Sequence, residues 1–290
     1  MGQIIACANQ KGGVGKTTTV VNLATYLGRL GERVLVVDLD PQGNATSGFG
    51  VDRALLAATF FDVALGDATL ESVVVETVAD NCWLAPASLS LAGAEVDLAT
   101  MDQRERRLSV VLGDARNRYD YILLDCPPSL GLLTVNALTA SDSVLIPTQC
   151  EYYALEGLSQ LIATLNLIRD NLNPGLAIKG VVLTMYDART NLSADVATEV
   201  RKHLGDAVFE TVIPRSVRLS EAPSFGLPVA LYRGDSRGAV AYAELAAELR
   251  GRDNRLVGEP AGRSEPLTAT IEPRAVDTGV RTPIAIGGPT

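Results

Sequence analysis

Cysteine and histidine are scarce in this sequence of 290 residues. The four cysteines are widely spaced and include no C-x-x-C pair: Cys7, Cys82, Cys126 and Cys150. This spacing indicates neither a disulfide framework nor a tetrahedral metal site, so we expect reduced cysteines in the core. The one histidine, His203, lies in a polar helical stretch and is predicted to be a surface residue. Any chemistry must therefore use lysine, aspartate, backbone amides and a metal ion.

Long apolar runs are also missing. No stretch approaches the ~18 to 20 apolar residues that a membrane-spanning helix needs, and the N-terminus lacks the pattern of a secretion signal. We therefore expect a cytoplasmic protein. Hydrophobic residues make up 47% of the chain, which is enough for a sizeable core. The net charge of −9 gives no general attraction to nucleic acid, so any such contact requires a local basic patch.

Apolar runs alternate with helical patterns along most of the chain. This alternation predicts an α/β fold with a mostly parallel, twisted β-sheet and helices on both faces. The predicted strands cover residues 3–8, 33–38, 121–125, 143–147 and 178–185, with shorter ones at 82–85 and 228–231. The predicted helices cover residues 17–30, 103–118, 155–172, 193–204 and 238–249. Because large apolar residues become few after residue 250, we expect a folded domain over 1–250 and a disordered tail over 251–290.

A glycine-rich segment follows the first predicted strand. It consists of Lys11, Gly12, Gly13, Val14, Gly15, Lys16, Thr17 and Thr18. Glycines let backbone N–H groups turn toward a phosphate, Lys16 supplies a positive charge to the β- and γ-phosphates, and the Thr17 hydroxyl can ligate Mg²⁺. The next helix adds its positive N-terminal end. The strict P-loop pattern is not met, because Gln10 replaces its first glycine and Lys11 is an additional lysine.

Two apolar strands end in aspartate. The strand at residues 33–38 is followed by the run Asp38, Leu39, Asp40, and an extended chain places those two carboxylates on the same side. The strand at 121–125 ends in Asp125, which two prolines follow at positions 127 and 128. A phosphate loop needs carboxylates at neighbouring strand ends to manage Mg²⁺ and water. These three aspartates are therefore the candidate metal and water residues.

Together, these segments resemble the ParA/MinD group of P-loop ATPases. Residues 11–18 are similar to its deviant Walker A box, residues 38–44 to its A′ box and residues 125–129 to its Walker B box. The resemblance implies ATP and Mg²⁺ as cofactors and hydrolysis by in-line attack of water. It also implies that Asp40 handles the water, that Asp38 and Asp125 hold Mg²⁺ through its water shell, and that Lys11 reaches the partner subunit's ATP in a homodimer.

The later half resembles the chromosomal ParA (Soj) subgroup, in the wording TMYD-x-RT at residues 184–190 and IPR-x-VRL-x-EAPSFG at 213–226. By that similarity Met185 and Pro214 flank the adenine, while Arg189 and Arg218 lie on a DNA-binding face of the dimer. The family implies a ParB-type partner that stimulates hydrolysis, and a location on the nucleoid. Four arginines against two acids between residues 214 and 237 suit a local phosphate contact. We expect DNA binding without sequence choice, because no helix-turn-helix precedes the first strand.

Three alternatives remain open. The arginines could instead cap strands and pair with Glu221 or Asp235. A MinD-like membrane-cycling regulator of division-site placement shares the nucleotide chemistry, but the basic amphipathic helix at its end is not matched here, so we expect no membrane partner. A metabolic P-loop ligase or synthase would pass the phosphate to a small acid, and the arginine-bearing EAPSFG segment argues against it.

Overall fold

The computed structural model describes residues 1–258, and its centre is one eight-stranded sheet. The strands are β1 (Gln3–Cys7), β2 (Val34–Asp38), β3 (Val75–Glu76), β4 (Cys82–Ala85), β5 (Tyr121–Asp125), β6 (Ser143–Gln149), β7 (Ala177–Tyr186) and β8 (Val208–Pro214). Their order across the sheet is β3-β4-β2-β5-β1-β6-β7-β8. Neighbouring strands run parallel, except that β3 and β4 are antiparallel. The predicted fold class is confirmed.

Helices cover both faces of the sheet. They are α1 (Lys16–Arg29), α2 (Asn44–Gly48), α3 (Phe60–Leu65), α4 (Leu70–Val73), α5 (Leu91–Ala99), α6 (Arg107–Gly113), α7 (Leu132–Ala140), α8 (Ala154–Asn171), α9 (Asn191–Leu204), α10 (Val217–Glu221), α11 (Val229–Tyr232) and α12 (Arg237–Gly258). Short 3₁₀ helices lie at Arg53–Leu55, Asp114–Asn117, Gly205–Ala207 and Ala222–Phe225. Parallel strands require such crossovers.

Alternate side chains of each central strand enter different cores. In β1, Ile4 packs on the face that carries α3, α4 and α6 to α9. Its neighbour Ile5 packs on the opposite face, against α1, α2 and α10 to α12. Because successive strand residues point to opposite faces, strands covered on both sides are apolar throughout.

The strand predictions hold at the core of the sheet, but the strand predicted at residues 228–231 is wrong. Those residues lie in and beside α11, where Pro228 precedes the helix and its carbonyl accepts hydrogen bonds from Leu231 and Tyr232 N–H. The N–H of Val229 donates instead to Asn22 Oδ1 of α1 at 2.8 Å. An apolar run of four residues fits a strand or a short helical turn equally well.

The helix predictions need two corrections. The helix predicted at 103–118 is shorter, because Gln103 has φ +51, outside the helical region, and α6 begins only at Arg107. Helix α12 continues to Gly258, past the helix end predicted at residue 249. The rest of the predicted tail, residues 259–290, lies outside the described residues. Helices α2 to α5, α7 and α11 were not predicted.

The topology brings three strand ends to one edge of the sheet. Asp125 at the end of β5 is the register partner of Cys7 in β1 and of Asp38 in β2. The glycine-rich loop leaves β1 at that same edge and leads into α1. None of the helices within residues 1–258 is long and apolar enough to cross a membrane.

Candidate functional site

The glycine-rich loop is shaped by backbone conformations that glycine alone adopts readily. Gly13 has φ +75 and Gly15 has φ +90, and Gly15 is the residue that precedes α1. Gly12 and Gly13 are exposed, and a Cβ added at either would meet nothing within 4 Å. Open space therefore surrounds these two glycines near the positive N-terminal end of α1, where a phosphate can approach.

Hydrogen bonds with β6 and β7 fix the conformation of this loop. The Thr184 hydroxyl donates to the Val14 carbonyl at 2.8 Å. The Asn9 amide donates to the Pro147 carbonyl at 2.8 Å, and Asn9 Oδ1 accepts from Lys11 N–H at 3.0 Å. Neither contact was predicted: Asn9 stands directly before the loop motif, and Thr184 entered only as part of the TMYD-x-RT motif. These bonds hold the loop in one shape without using the open N–H groups.

Lys16 is folded across its own loop. Its residue is 7% exposed, and its Nζ donates to the Lys11 carbonyl at 3.3 Å. The ammonium group is therefore held against the backbone of the loop. Thr17 and Thr18 follow in the first turn of α1 and are partly exposed.

Asp125 is a buried carboxylate without hydrogen bonds. It is 0% exposed, and neither side-chain oxygen has a hydrogen-bond partner among residues 1–258. Burial raises the pKa of Asp125 well above its usual range, the charge of Asp38 raises it further, and Thr17 and Lys16 lower it. The Thr17 hydroxyl is thus close to this carboxylate, but it does not meet hydrogen-bond geometry.

Asp38 is equally buried but well bonded. Its Oδ2 accepts from the Thr46 hydroxyl at 2.7 Å and the Thr46 N–H at 2.8 Å, while Oδ1 accepts from Asp40 N–H at 3.2 Å. Burial raises the pKa of Asp38 to about 6, and the bonds from Thr46 oppose that rise. The Thr46 hydroxyl also accepts from Ala87 N–H at 3.0 Å. Asp38 therefore ties α2 to the sheet edge, and Asp125 is the carboxylate left open.

The donors at this edge fit a magnesium ion. An ionised carboxylate that is buried and unpaired is costly, and a cation beside Asp125 would offset that cost. Carboxylate and hydroxyl oxygens from Asp125, Asp38 and Thr17 are the hard ligands that Mg²⁺ takes. Residues 1–258 contain no group of three His, Cys, Asp or Glu side chains placed to hold a metal. The ion would therefore rely on water and phosphate oxygens as well, as Mg²⁺ usually does.

Asp40 lies in a tight turn between β2 and α2. The residue is 8% exposed, and its Oδ1 accepts from Gln42 N–H at 2.9 Å. Its carbonyl accepts from Gly43 N–H at 2.8 Å, and Gly43 has φ +64 at the start of α2. The turn thus fixes a second carboxylate beside the sheet edge that holds Asp38 and Asp125.

Lys11 is paired within its own chain. Its Nζ lies 2.6 Å from Glu151 Oε2, and the two side chains are 47% and 46% exposed. The side-chain amide of Gln149 also contacts Glu151. The predicted reach of Lys11 into a partner subunit therefore stays a prediction, and it requires this ion pair to open.

Met185 and Pro214 are brought together at the ends of neighbouring strands. Tyr186, next to Met185, is the register partner of Pro214, and its carbonyl accepts from Arg215 N–H at 3.0 Å. Met185 has φ +51, a left-handed conformation that costs a residue other than glycine about 1 to 3 kcal/mol. The adenine-flanking role of Met185 and Pro214 stays a prediction.

The two predicted DNA contacts both lie in ion pairs. Arg189 donates to both carboxylate oxygens of Asp187, at 2.9 and 2.7 Å, and this pairing lowers the pKa of Asp187 to about 2. Arg218 Nη1 lies 2.6 Å from Glu221 Oε2. Of the acids considered from the sequence, Arg218 thus pairs with Glu221 rather than Asp235. The Arg189 side chain is still 86% exposed.

The loop between β1 and α1, with carboxylates at the ends of β2 and β5, defines a P-loop nucleotide-binding protein. A family model described as an AAA domain matches residues 2–178. The sporulation initiation inhibitor protein Soj of Bacillus subtilis is 57% identical over 249 residues, covering 86% of this chain and 98% of the relative. The chromosome partitioning protein ParA of Myxococcus xanthus is 51% identical over 253 residues, covering 87% and 89%. The chain belongs to the ParA/Soj family of P-loop ATPases.

Solved structures agree with this assignment. Cobyrinic acid a,c-diamide synthase of Mycobacterium smegmatis, with bound ADP and magnesium, has a TM-score of 0.78 at 37% identity, covering 91% of this chain and 100% of that one. The cell division ATPase MinD of Pyrococcus furiosus has a TM-score of 0.73 at 30% identity, covering 87% and 100%. The fold is therefore that of the ParA/MinD group.

Proposed function

We propose that the protein is an ATP hydrolase of the ParA type that drives the partitioning of a chromosome or plasmid. The observation that carries this proposal is the buried, unpaired carboxylate of Asp125 beside the open phosphate loop. A cation would offset the cost of burying this charge, and Mg²⁺ bound with a nucleotide would be that cation. The identity to Soj and ParA over nearly the whole length of those relatives supports the biological role.

The chemistry assigned to the site is hydrolysis of ATP by water. The N–H groups of residues 12–18 and the ammonium of Lys16 hold the phosphates, while Thr17, Asp38 and Asp125 hold Mg²⁺ and its water shell. Bound Mg²⁺ neutralises charge on the β- and γ-phosphates. Asp40 orients or activates the attacking water, and its fixed turn keeps that carboxylate in place. Met185 and Pro214 flank the adenine.

A second subunit completes the site. Lys11 leaves Glu151 when ATP is bound and reaches the partner subunit's phosphates, so closure of the homodimer is coupled to ATP. An exposed ion pair contributes only about 0 to 1 kcal/mol, so opening it is a small barrier to dimer formation.

The ATP dimer binds DNA through Arg189 and Arg218. Arginine contacts to phosphate give affinity without sequence choice, and two subunits double the number of contacts. The protein therefore sits on the nucleoid until a ParB-type partner stimulates hydrolysis and releases it. The overall charge of −9 would suit a basic segment on that partner.

ATP hydrolysis and DNA retention by the same preparation test this function. We expect slow Mg²⁺-dependent turnover without any metabolite, and faster turnover with DNA and a ParB-type protein. Pelleting with anionic liposomes in ATP, with no DNA binding, would instead support the MinD-like alternative. Turnover that requires a small carboxylic acid would support the metabolic alternative, the class that includes the synthase of similar fold.

A further inference from the structure

Arg53 belongs to none of the motifs, yet its guanidinium lies against the turn that carries Asp40. Arg53 Nη1 donates to the Gln42 carbonyl at 2.8 Å. A Cβ added to Gly43 would come within 2.6 Å of Arg53 Nη1 and 3.1 Å of its Cζ. The guanidinium therefore occupies the space directly beside Gly43, whose φ of +64 in itself disfavours a side chain.

Gln42 and Gly43 are the residues that hold Asp40. The Gln42 N–H donates to the Asp40 carboxylate, and the Gly43 N–H donates to the Asp40 carbonyl. Arg53 bonds to the outer side of the same turn. A displacement of this turn would therefore move the Asp40 carboxylate with it.

The segment that carries Arg53 is itself fixed. Asp52 Oδ1 accepts from Ala54 N–H at 2.9 Å and caps the 3₁₀ helix Arg53–Leu55. The N–H of Val51 donates to the Thr46 carbonyl at 3.2 Å, and Thr46 is the residue bonded to Asp38. After α2 the chain thus folds back toward the end of β2, and the Arg53 side chain bonds to the turn at Gln42.

We propose that Arg53 is a positioning residue for ATP hydrolysis. It supports the turn at Gln42 and Gly43 and so keeps the Asp40 carboxylate oriented toward the attacking water. The inference rests on the proposed function, since it takes Asp40 as the water-handling residue. Arg53 touches the turn and not the phosphate loop, so it should affect the rate of hydrolysis and not the affinity for ATP.

The test compares single-turnover hydrolysis of saturating Mg·ATP by the full-length wild type, Arg53→Ala, Arg53→Lys and Asp40→Ala. Loss of one charge-assisted bond to the turn should slow Arg53→Ala about fivefold to tenfold. The ATP dissociation constant should stay within about twofold, because phosphate contacts are retained. Lysine can still donate to the Gln42 carbonyl, so Arg53→Lys should recover most of the rate. Amide hydrogen exchange of residues 40–46 should be faster in Arg53→Ala than in Arg53→Lys.

Arg118→Ala is the matched control. Arg118 forms an exposed ion pair with Glu71, and it precedes β5 at the opposite edge of the sheet, away from the turn at Gln42 and Gly43. Wild-type hydrolysis by Arg53→Ala would overturn the proposal, and so would an equal loss in both Arg53 variants. A slow Asp40→Ala beside a normal Arg53→Ala would refute only the role of Arg53. Normal hydrolysis by Asp40→Ala would overturn the water-handling role, and the inference with it.

Discussion

Replacing Asp125 with asparagine is expected to stabilise the metal-free protein. The Asp125 carboxylate is buried at the end of β5 without a hydrogen-bond partner in the described part of the chain. Burial and the charge of Asp38 both raise its pKa, which means that the folded state disfavours the ionised form. Asparagine keeps the shape of the side chain and removes its charge.

The size of the expected stabilisation by Asp125→Asn follows from the sheet geometry. Asp38 and Asp125 are register partners on adjacent strands, so their carboxylates lie on the order of 5 Å apart. Above the raised pKa values of both groups, two unit charges at that distance repel by about 3 kcal/mol at an effective dielectric constant of about 20. The unsatisfied amide of asparagine costs about 1 to 2 kcal/mol. The net gain of about 1 to 2 kcal/mol corresponds to a rise in Tm of about 2 to 8 °C for a domain of this size.

Thermal unfolding in EDTA between pH 5 and pH 8 measures this gain. Burial raises the pKa of Asp38 from its ordinary 3.8 to about 6, and the pKa of Asp125 also rises. The folded state then binds more protons than the unfolded state, so wild-type stability should fall as pH rises from about 4 through 6 and above. Asp125→Asn should reduce that slope, and Mg²⁺ with ADP should raise the Tm of the wild type more than that of the variant.

Asp120→Asn provides a control of opposite sign. Asp120 forms an exposed ion pair with Arg33, and the hydrogen bond from Arg33 lowers the pKa of Asp120. Its replacement should therefore lower the Tm or leave it unchanged. A lower Tm for Asp125→Asn at pH 7 without metal, or a pH profile identical to that of the wild type, would refute the reasoning.

Three further predictions concern the nucleotide loop and the DNA face. Lys16→Ala should weaken ATP binding about tenfold or more in an equilibrium titration, because a charge-assisted phosphate contact is lost; wild-type affinity would contradict the loop assignment. Glu151→Gln should release Lys11 and strengthen ATP-dependent dimerisation up to about fivefold in sedimentation; an unchanged dimer affinity would argue that the Lys11–Glu151 ion pair does not oppose dimer formation. Glu221→Gln should free Arg218 and increase DNA affinity, and the slope of log affinity against log salt concentration should become steeper by about 1. Equal DNA affinities of the wild type and the variant at both of two salt concentrations would contradict this prediction.

The phosphate loop and its acids could be predicted from sequence because each is a local pattern. Glycines next to a strand and aspartates at strand ends require no knowledge of distant residues, so Lys16 and Asp125 were identified and their surroundings followed from the parallel sheet. Helix α7 could not be found in this way. Most of its residues are buried, so it has no polar face and shows no helical period.

The contacts that refine the site depend on residues that are far apart in the chain. Lys11 pairs with Glu151, 140 residues away, and no local pattern indicates such a pair. The bond from Arg53 to the turn at Gln42 depends on how the chain returns after α2. Thr46 donates two hydrogen bonds to Asp38, whereas Asp125 has no hydrogen-bond partner among residues 1–258. Tertiary packing decided these contacts.

Binding to non-specific DNA under different nucleotides tests the central claim most directly. Fluorescence anisotropy of a labelled duplex would be recorded with Mg·ATP, Mg·ADP and no nucleotide, at two salt concentrations, for the wild type and Asp40→Ala. We expect DNA binding with Mg·ATP only, and weaker binding at the higher salt concentration. The DNA complex of Asp40→Ala should last longer than that of the wild type. Equal binding in all three nucleotide conditions would contradict an ATP-controlled DNA switch.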